Sequence, residues 1–241
     1  MIPSVFFIGA TKCATTTLHS IFHNHCKDVY CGVIKENRFF SKIHQEGELS
    51  ELYPSPGDAI ISADFQPTNC VYPWAATRIK EVSPNAKIIL CIREPIARAY
   101  SEICHFKQRM RGNLISEDPN EIIMENLRTL NTIEGVKYPF LEMSDYNSHI
   151  ERFNNFETKV VIFEELIRND KEVIGGICDF IGIERFDYEM VKTNSKSDSL
   201  FFSPDVVIKL LKFFKPKTIA LSECLDKDLF KIWYRGDMSD G

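Results

Sequence analysis

V-F-F-I-G-A-T-K-C-A-T-T-T-L, residues 5–18, is the stretch whose reading decides the fold. Val5–Ile8 is a short apolar run of the kind that forms a buried strand. Gly9 opens a turn, and Thr15–Leu18 begins a helical pattern. Lys12 lies in the turn, and three hydroxyl side chains, Thr15, Thr16 and Thr17, follow it. The first N–H groups of a helix have no intrahelical partner, and the macrodipole adds positive potential there. Strand, tight turn and helix N-terminus with a lysine therefore describe a cradle for a phosphate or sulfate. A plain strand-turn-helix with a solvated lysine is the alternative. The Walker A pattern does not fit, because it wants Gly-Lys-Ser/Thr at the end of the loop, whereas Lys12 comes early and no Gly-Lys pair exists.

Outward from this stretch, the clearest buried strand is Lys87-Ile88-Ile89-Leu90-Cys91-Ile92, a continuous apolar run bounded by turn signals. It leads into Arg93-Glu94-Pro95-Ile96-Ala97-Arg98-Ala99-Tyr100-Ser101, where Pro95 suits the first turn of a helix. Arg93 and Ser101 are separated by ~9 Å of helix rise, a span an arginine side chain largely covers. The two can converge on one phosphate, with a charge-assisted fork and a hydroxyl. Arg98 reads as a structural ion-pair partner of Glu94 or Glu102.

Further strands are expected at 29–34, 59–64 and 159–163, with helices between them. Alternation of this kind means an α/β fold with a parallel sheet flanked by helices. Ligands in such sheets bind beyond the carboxyl ends of the strands, where Gly9–Thr17, Lys35-Glu36, Asp64 and Arg93 all fall. Lys35-Glu36-Asn37-Arg38-Phe39-Phe40 places a charged pair just past a strand and before two aromatic residues; the ordinary reading is a surface ion pair worth at most ~1 kcal/mol. Asp64 is expected at a strand end, bonded to an acceptor or to Lys12, or else capping a loop. Helices are expected at 15–25, 72–82 and 145–156, around Glu164-Glu165-Leu166, and from Asp170 to Ile181 with Gly182 as the stop. Two C-terminal helices, Pro204–Phe214 and Thr218–Trp233, should break at Pro216.

The chain has 241 residues, 44% of them hydrophobic, and a formal net charge of −5, which argues against a general nucleic-acid binder and makes any anion site local. No apolar run approaches the ~18 residues needed to span a bilayer. No secretory signal or N-x-S/T sequon is read, and none of the eight cysteines forms a CxxC pair. These features suggest a cytoplasmic protein with reduced, mostly core thiols. His19 and His23 lie four apart on one helix face, but no third ligand is placed in the usual way, so no metal site is expected.

Three of these segments resemble those of the PAPS-dependent sulfotransferases (PAPS being 3′-phosphoadenosine 5′-phosphosulfate). The opening stretch is similar to that family's phosphosulfate loop, roughly P-K-S/G-G-T-T: Gly9, Lys12, Thr15, Thr16 and Leu18 match, and Ala14 stands where glycine is usual. K-E-N-R-F-F is similar to the K-E-x-x-F-F segment of heparan-type and related carbohydrate sulfotransferases. R-x-P-x-x-R-x-x-S, from Arg93 to Ser101, closely matches the segment that holds the cofactor's 3′-phosphate. In D-F-Q-P, from Asp64 to Pro67, Phe65 replaces the family's lysine.

The chain is thus identified as looking like a member of that superfamily, a single domain over 1–241 with a P-loop-NTPase-like fold. The resemblance implies that Gly9, Lys12, Cys13, Ala14, Thr15, Thr16, Thr17, Arg93 and Ser101 bind PAPS, with Lys196 closing over the adenosine end. It implies Glu36 as catalytic base, in contact with the acceptor and beside Lys12 and Lys35. Asp64, and His105 with the basic run Lys107, Arg109 and Arg111, are the further candidate acceptor contacts, the alternative for the run being a solvated helix end. It implies PAPS as co-substrate, adenosine 3′,5′-bisphosphate as product, no metal, and a carbohydrate or other hydroxyl acceptor. A P-loop nucleotide kinase or NTPase is one alternative; it would need a Gly-Lys-Ser/Thr and an acidic strand end for magnesium, for which only Asp64 is placed. A sulfotransferase-like module that binds without catalysis is the other. Neither a nucleic-acid nor a membrane partner is expected.

Overall fold

The computed structural model describes residues 1–42, 47–54, 57–109, 116–130, 139–190 and 202–234. They form two compact units: 1–92 with 149–195, and 93–148 with 196–241.

The first unit holds a five-stranded, wholly parallel sheet in the order β2-β3-β1-β4-β5. Its strands are β1 (Val5–Gly9), β2 (Val29–Tyr30), β3 (Ile61–Phe65), β4 (Lys87–Ile92) and β5 (Glu157–Ile162). β1 and β3 are buried at every position, and β4 at all but Lys87, as expected of strands covered on both faces. The helices of this unit are α1 (Thr15–His25), α2 (Leu49–Leu52), α3 (Pro73–Val82), α7 (Phe163–Arg168) and α8 (Asp170–Ile181), the last ended by Gly182 at φ 83°. β1 is central, and the strand order reverses between it and β4, the place where open parallel sheets take ligands. The β1–β4 register shifts between Phe7 and Gly9, just where the chain leaves the sheet.

The second unit is helical: α4 (Pro95–Arg109), α5 (Pro119–Thr129), a 3₁₀ turn (Glu142–Ser144), the start of α6 (Tyr146–Arg152), α9 (Pro204–Leu225) and α10 (Leu229–Trp233). Its core joins Ile96, Ala99 and Ile103 of α4 to Ile123 of α5 and to Leu210 and Phe214 of α9.

Three expectations are corrected. β2 stops at Tyr30, because Gly32 turns at φ 73°, and Val33 and Ile34 are exposed. β3 begins at Ile61 and runs to Phe65, so Asp64 lies inside the strand rather than at its end. α9 passes straight through Pro216. An interior proline costs ~3 kcal/mol, but Leu210, Phe214, Thr218 and Leu221 form one buried stripe across it, and each fully buried apolar side chain returns ~1.5–3 kcal/mol.

Candidate active site

The site begins where β1 ends. Gly9 has φ 150°, and a Cβ there would stand 2.7 Å from the Pro67 carbonyl and overlap the Cys70 sulfur, so only glycine fits. Ala10 N–H donates to the Cys91 carbonyl at 2.7 Å, and Cys70 N–H to that of Ile8 at 2.8 Å. Lys12 and Ala14 both take left-handed conformations, at φ 64° and 67°. Ala14 precedes α1 and has no side chain that could cap it. No side-chain hydrogen bond caps the start of α1, and a helix N-terminus is where an anion is best received. Thr15 and Thr17 are buried, Thr16 is exposed, and Cys13 is fully buried beneath the loop. Lys12 and Ala14 are half-buried.

Lys35 joins this loop to Glu36. Its ammonium donates to Thr16 Oγ1 at 3.0 Å and to Glu36 Oε1 at 2.5 Å. The Lys35 side chain is 21% exposed and that of Glu36 42%, so the carboxylate faces solvent beside the cradle. A half-exposed ion pair contributes at most ~1 kcal/mol, too little to fix the segment. Phe40 fixes it instead: fully buried, it packs edge-on against Phe6 of β1, with ring centroids 5.5 Å apart, a burial worth ~1.5–3 kcal/mol. Backbone bonds add to this. Glu36 N–H donates to the Phe65 carbonyl at 3.1 Å, and Arg38 N–H to Gln66 Oε1 at 3.1 Å. Glu36 and Arg38 both sit at positive φ, 59° and 60°, conformations that persist only where surrounding bonds over-determine them.

Asp64 takes a different position from the one expected. It is 0% exposed, and its partners are Asn37 Nδ2 at 2.9 Å, Asn69 Nδ2 at 3.2 Å and the Tyr53 hydroxyl. Burial pushes its carboxyl above the usual range, against the lowering effect of those three donors. Burial, then the Asp64 charge, likewise raises the Tyr53 phenol. Asp64 therefore anchors Asn37, the neighbour of Glu36, from within the sheet. Sequence reasoning missed Tyr53 and Asn37, because nothing local marks a buried phenol or the amide that shares its carboxylate.

His19 of α1 packs edge-on against Phe65 at 5.0 Å. Its pKa is lowered to about 4, first by burial and then by the positive charges of Lys35 and His23, with Glu36 opposing. Neutral at physiological pH, it adds no charge beside the Lys35–Glu36 pair.

Arg93, Ser101 and His105 belong to the second unit. Arg93 is the residue after β4. Its backbone is held on both sides by Tyr146, whose hydroxyl donates to the Arg93 carbonyl at 2.8 Å and accepts from its N–H at 3.3 Å. Ser101 and His105 are half-buried on α4, four residues apart and so on one face. Glu94 caps the same helix, its carboxylate accepting from Ile96 N–H at 3.0 Å and Ala97 N–H at 2.5 Å. Arg98 is fully buried, bonded to Ser144 Oγ at 2.5 Å, Glu102 Oε2 at 3.2 Å and the Phe140 carbonyl. It is the structural cation the sequence suggested. Lys196 lies outside the described residues.

The first unit thus defines a class: a parallel α/β protein whose central strand opens into a glycine-led turn and a helix N-terminus, with a lysine and a carboxylate beside it. A family model described as "Sulfotransferase family" matches residues 64–188, more than half of the chain, including Arg93 and Ser101. The chain belongs to the sulfotransferase family. Human heparan sulfate glucosamine 3-O-sulfotransferase 3B1 is 26% identical over 193 residues, 76% of this chain and 47% of that protein. The human 3A1 enzyme is also 26% identical, over 76% of this chain and 45% of its own length. The chain spans about half the length of these curated relatives. Among solved structures, a sulfotransferase from Alicyclobacillus acidocaldarius superposes with a TM-score of 0.78 over 95% of this chain and 98% of its own, at 22% identity, a likeness of fold. No helix among the described residues is long and apolar enough to cross a membrane, and all eight cysteines are free thiols, six of them buried.

Proposed function

We propose that residues 1–241 act as one sulfotransferase domain that moves a sulfuryl group from PAPS to an acceptor hydroxyl. The observation that carries this reading is Lys35, bonded at once to Thr16 of the cradle and to Glu36. These two bonds support reading Glu36 as a base and Lys35 as a cation beside an anion site. The N–H groups at the start of α1, with Lys12 and Thr15 to Thr17, bind the 5′-phosphosulfate; Arg93 and Ser101 bind the 3′-phosphate. Glu36 takes the acceptor's proton as its oxygen forms a bond to sulfur. The bond from sulfur to the 5′-phosphate oxygen breaks, and its electron pair leaves with adenosine 3′,5′-bisphosphate. Lys12 and Lys35 offset the negative charge that gathers on the bridging oxygen. These groups supply the positive field without calling on a metal.

The human relatives named above act, by their names, on heparan sulfate glucosamine, and the K-E-x-x-F-F resemblance points the same way. We take the acceptor class from them: a sugar hydroxyl on a carbohydrate or glycosylated molecule. His105 is the acceptor contact proposed from the second unit. A Mg-dependent NTPase is less well supported, because Asp64, its one acidic candidate, is buried and fully engaged.

Thermal-shift titration tests the donor. Adenosine 3′,5′-bisphosphate should raise the melting temperature, by ~2.7 kcal/mol of stabilisation at a hundred times Kd, and ATP at equal concentration should not. The reverse order would overturn the reading. Transfer from labelled PAPS to a panel of oligosaccharides and small alcohols then separates acceptor classes.

A further inference from the structure

Among the described residues outside those assigned to transfer, one cluster has the chemistry of a ligand site. His19 and His23 lie four apart on α1, with rings stacked 5.4 Å apart at 12°. Cys31, which follows β2, completes a group whose ligand atoms all lie within 4.8 Å of one another. We propose that His19, His23 and Cys31 bind one zinc-class divalent cation, with a fourth position left for water or an outside ligand.

The fold supplies what the spacing lacks. Two imidazoles four apart share a helix face, but the third donor comes from beyond a strand, where no local pattern announces it. Both inner ligands are held. The His19 ring is set against the edge of Phe65. Cys31 is 2% exposed and is followed by Gly32 at φ 73°, where an added Cβ would meet the Tyr53 ring at 2.7 Å. Tyr53 is itself tied to Asp64. His23, exposed, stands on the solvent side of the cluster, where an ion would enter. A tetrahedral ion with bonds of ~2.0–2.1 Å to nitrogen and ~2.3 Å to sulfur sets its donors ~3.3–3.6 Å apart. The cluster must therefore close by roughly an ångström, which side-chain rotation of His23 and small shifts of the others can supply.

Two imidazoles and a thiolate select zinc, cobalt or copper over magnesium and calcium, which want hard oxygen ligands. Three protein ligands leave the coordination incomplete, unlike a closed structural site. Binding replaces the Cys31 thiol proton with the metal, so one proton leaves per ion bound.

Cobalt(II) titration of the intact chain in excess magnesium tests this. The expected result is a near-ultraviolet thiolate-to-cobalt charge-transfer band, with visible bands of tetrahedral intensity, saturating at one ion per chain and displaced by zinc. Cys31→Ser should abolish the charge-transfer band. His23→Ala, an exposed change that leaves the fold in place, should weaken cobalt affinity at least tenfold. Cys224→Ser, which removes the exposed thiol, should leave the band unchanged. A band that survives Cys31→Ser but vanishes in Cys224→Ser overturns the site, as does unaltered affinity in His23→Ala or no thiolate band at all. None of these readouts depends on sulfuryl transfer, so the cation site and the proposed activity stand or fall separately.

Discussion

Helices α1 and α4 each follow a strand of the sheet across a short turn, yet their N-termini are treated in opposite ways. At α1 the residue before the helix is Ala14, in a left-handed conformation and without a capping group. On the proposed reading, that uncapped end and its macrodipole receive the anion. At α4 the residue before the helix is Glu94, and its carboxylate already accepts from Ile96 and Ala97. That N-terminus carries its own anion. On the proposed reading, recognition by the second unit then falls to the side chains of Arg93 and Ser101, with Tyr146 fixing the Arg93 backbone. One proposed site would then be built from backbone and the other from side chains, and substitutions should act on them differently.

The largest expected effect separates chemistry from binding. Glu36→Gln keeps the size and the backbone bond to Phe65 but removes the base, and general-base catalysis typically contributes ~10²–10⁴-fold. Turnover should fall by that range while affinity for adenosine 3′,5′-bisphosphate stays within about twofold. An unchanged rate removes Glu36 as base; lost affinity would mean the carboxylate serves the cradle instead.

Arg93→Ala comes next and sharpens the contrast directly. A charged hydrogen bond contributes ~1.5–3 kcal/mol, so affinity for adenosine 3′,5′-bisphosphate should weaken about 10- to 150-fold. Adenosine 5′-phosphosulfate, which lacks the 3′-phosphate, should bind wild type and variant alike. Equal losses for both ligands would show that Arg93 does not read the 3′ end.

How much of this was legible beforehand follows from range. The sheet was readable because β1 and β4 are continuous apolar runs, and α1 because its helical pattern and start signals are local. The K-E-N-R-F-F segment was legible as a motif, but its mechanics were not. That Phe40 seats the segment against Phe6, and that Asp64 steadies Asn37 from inside β3, are long-range facts with no local signal. Strand ends failed for the same reason. Apolar character carries through Val33 and Ile34, but Gly32 turns the chain and leaves both exposed. Pro216 misled in the other direction, since a local breaker yielded to a buried stripe on both sides of it. Tyr146 lay in a segment read only as a helix, and its hold on the Arg93 backbone is another long-range fact without a local signal.

A smaller effect tests the self-capped helix. Glu94→Ala removes the acceptor for Ile96 and Ala97 N–H and the bond from the Tyr234 hydroxyl at 3.0 Å. Loss of a cap costs ~0.5–2 kcal/mol, read as a lower midpoint in urea. Because a carboxylate leaves the neighbourhood of Arg93, affinity for the bisphosphate should hold or rise. A marked fall in affinity would make Glu94 a ligand contact and end the contrast between the two N-termini.

The smallest expected effect probes the backbone-built site most directly. Ala14 sits at φ 67°, where an L-residue other than glycine loses about 1–2 kcal/mol. Glycine removes that strain but gains ~0.5–1 kcal/mol of freedom in the unfolded chain. The two largely offset, so Ala14→Gly should change stability by ~0–1.5 kcal/mol in the favourable direction, at ~2–4 °C of Tm per kcal/mol for a chain of this size. Binding of the bisphosphate should be unchanged or tighter, because the loop backbone loses a methyl that limits approach. Ala14→Val should do the reverse, since a β-branched residue fits the left-handed region worst. If glycine instead lowers both Tm and affinity, the alanine methyl is packed rather than strained, and the cradle owes more to side-chain contacts than its left-handed turns suggest.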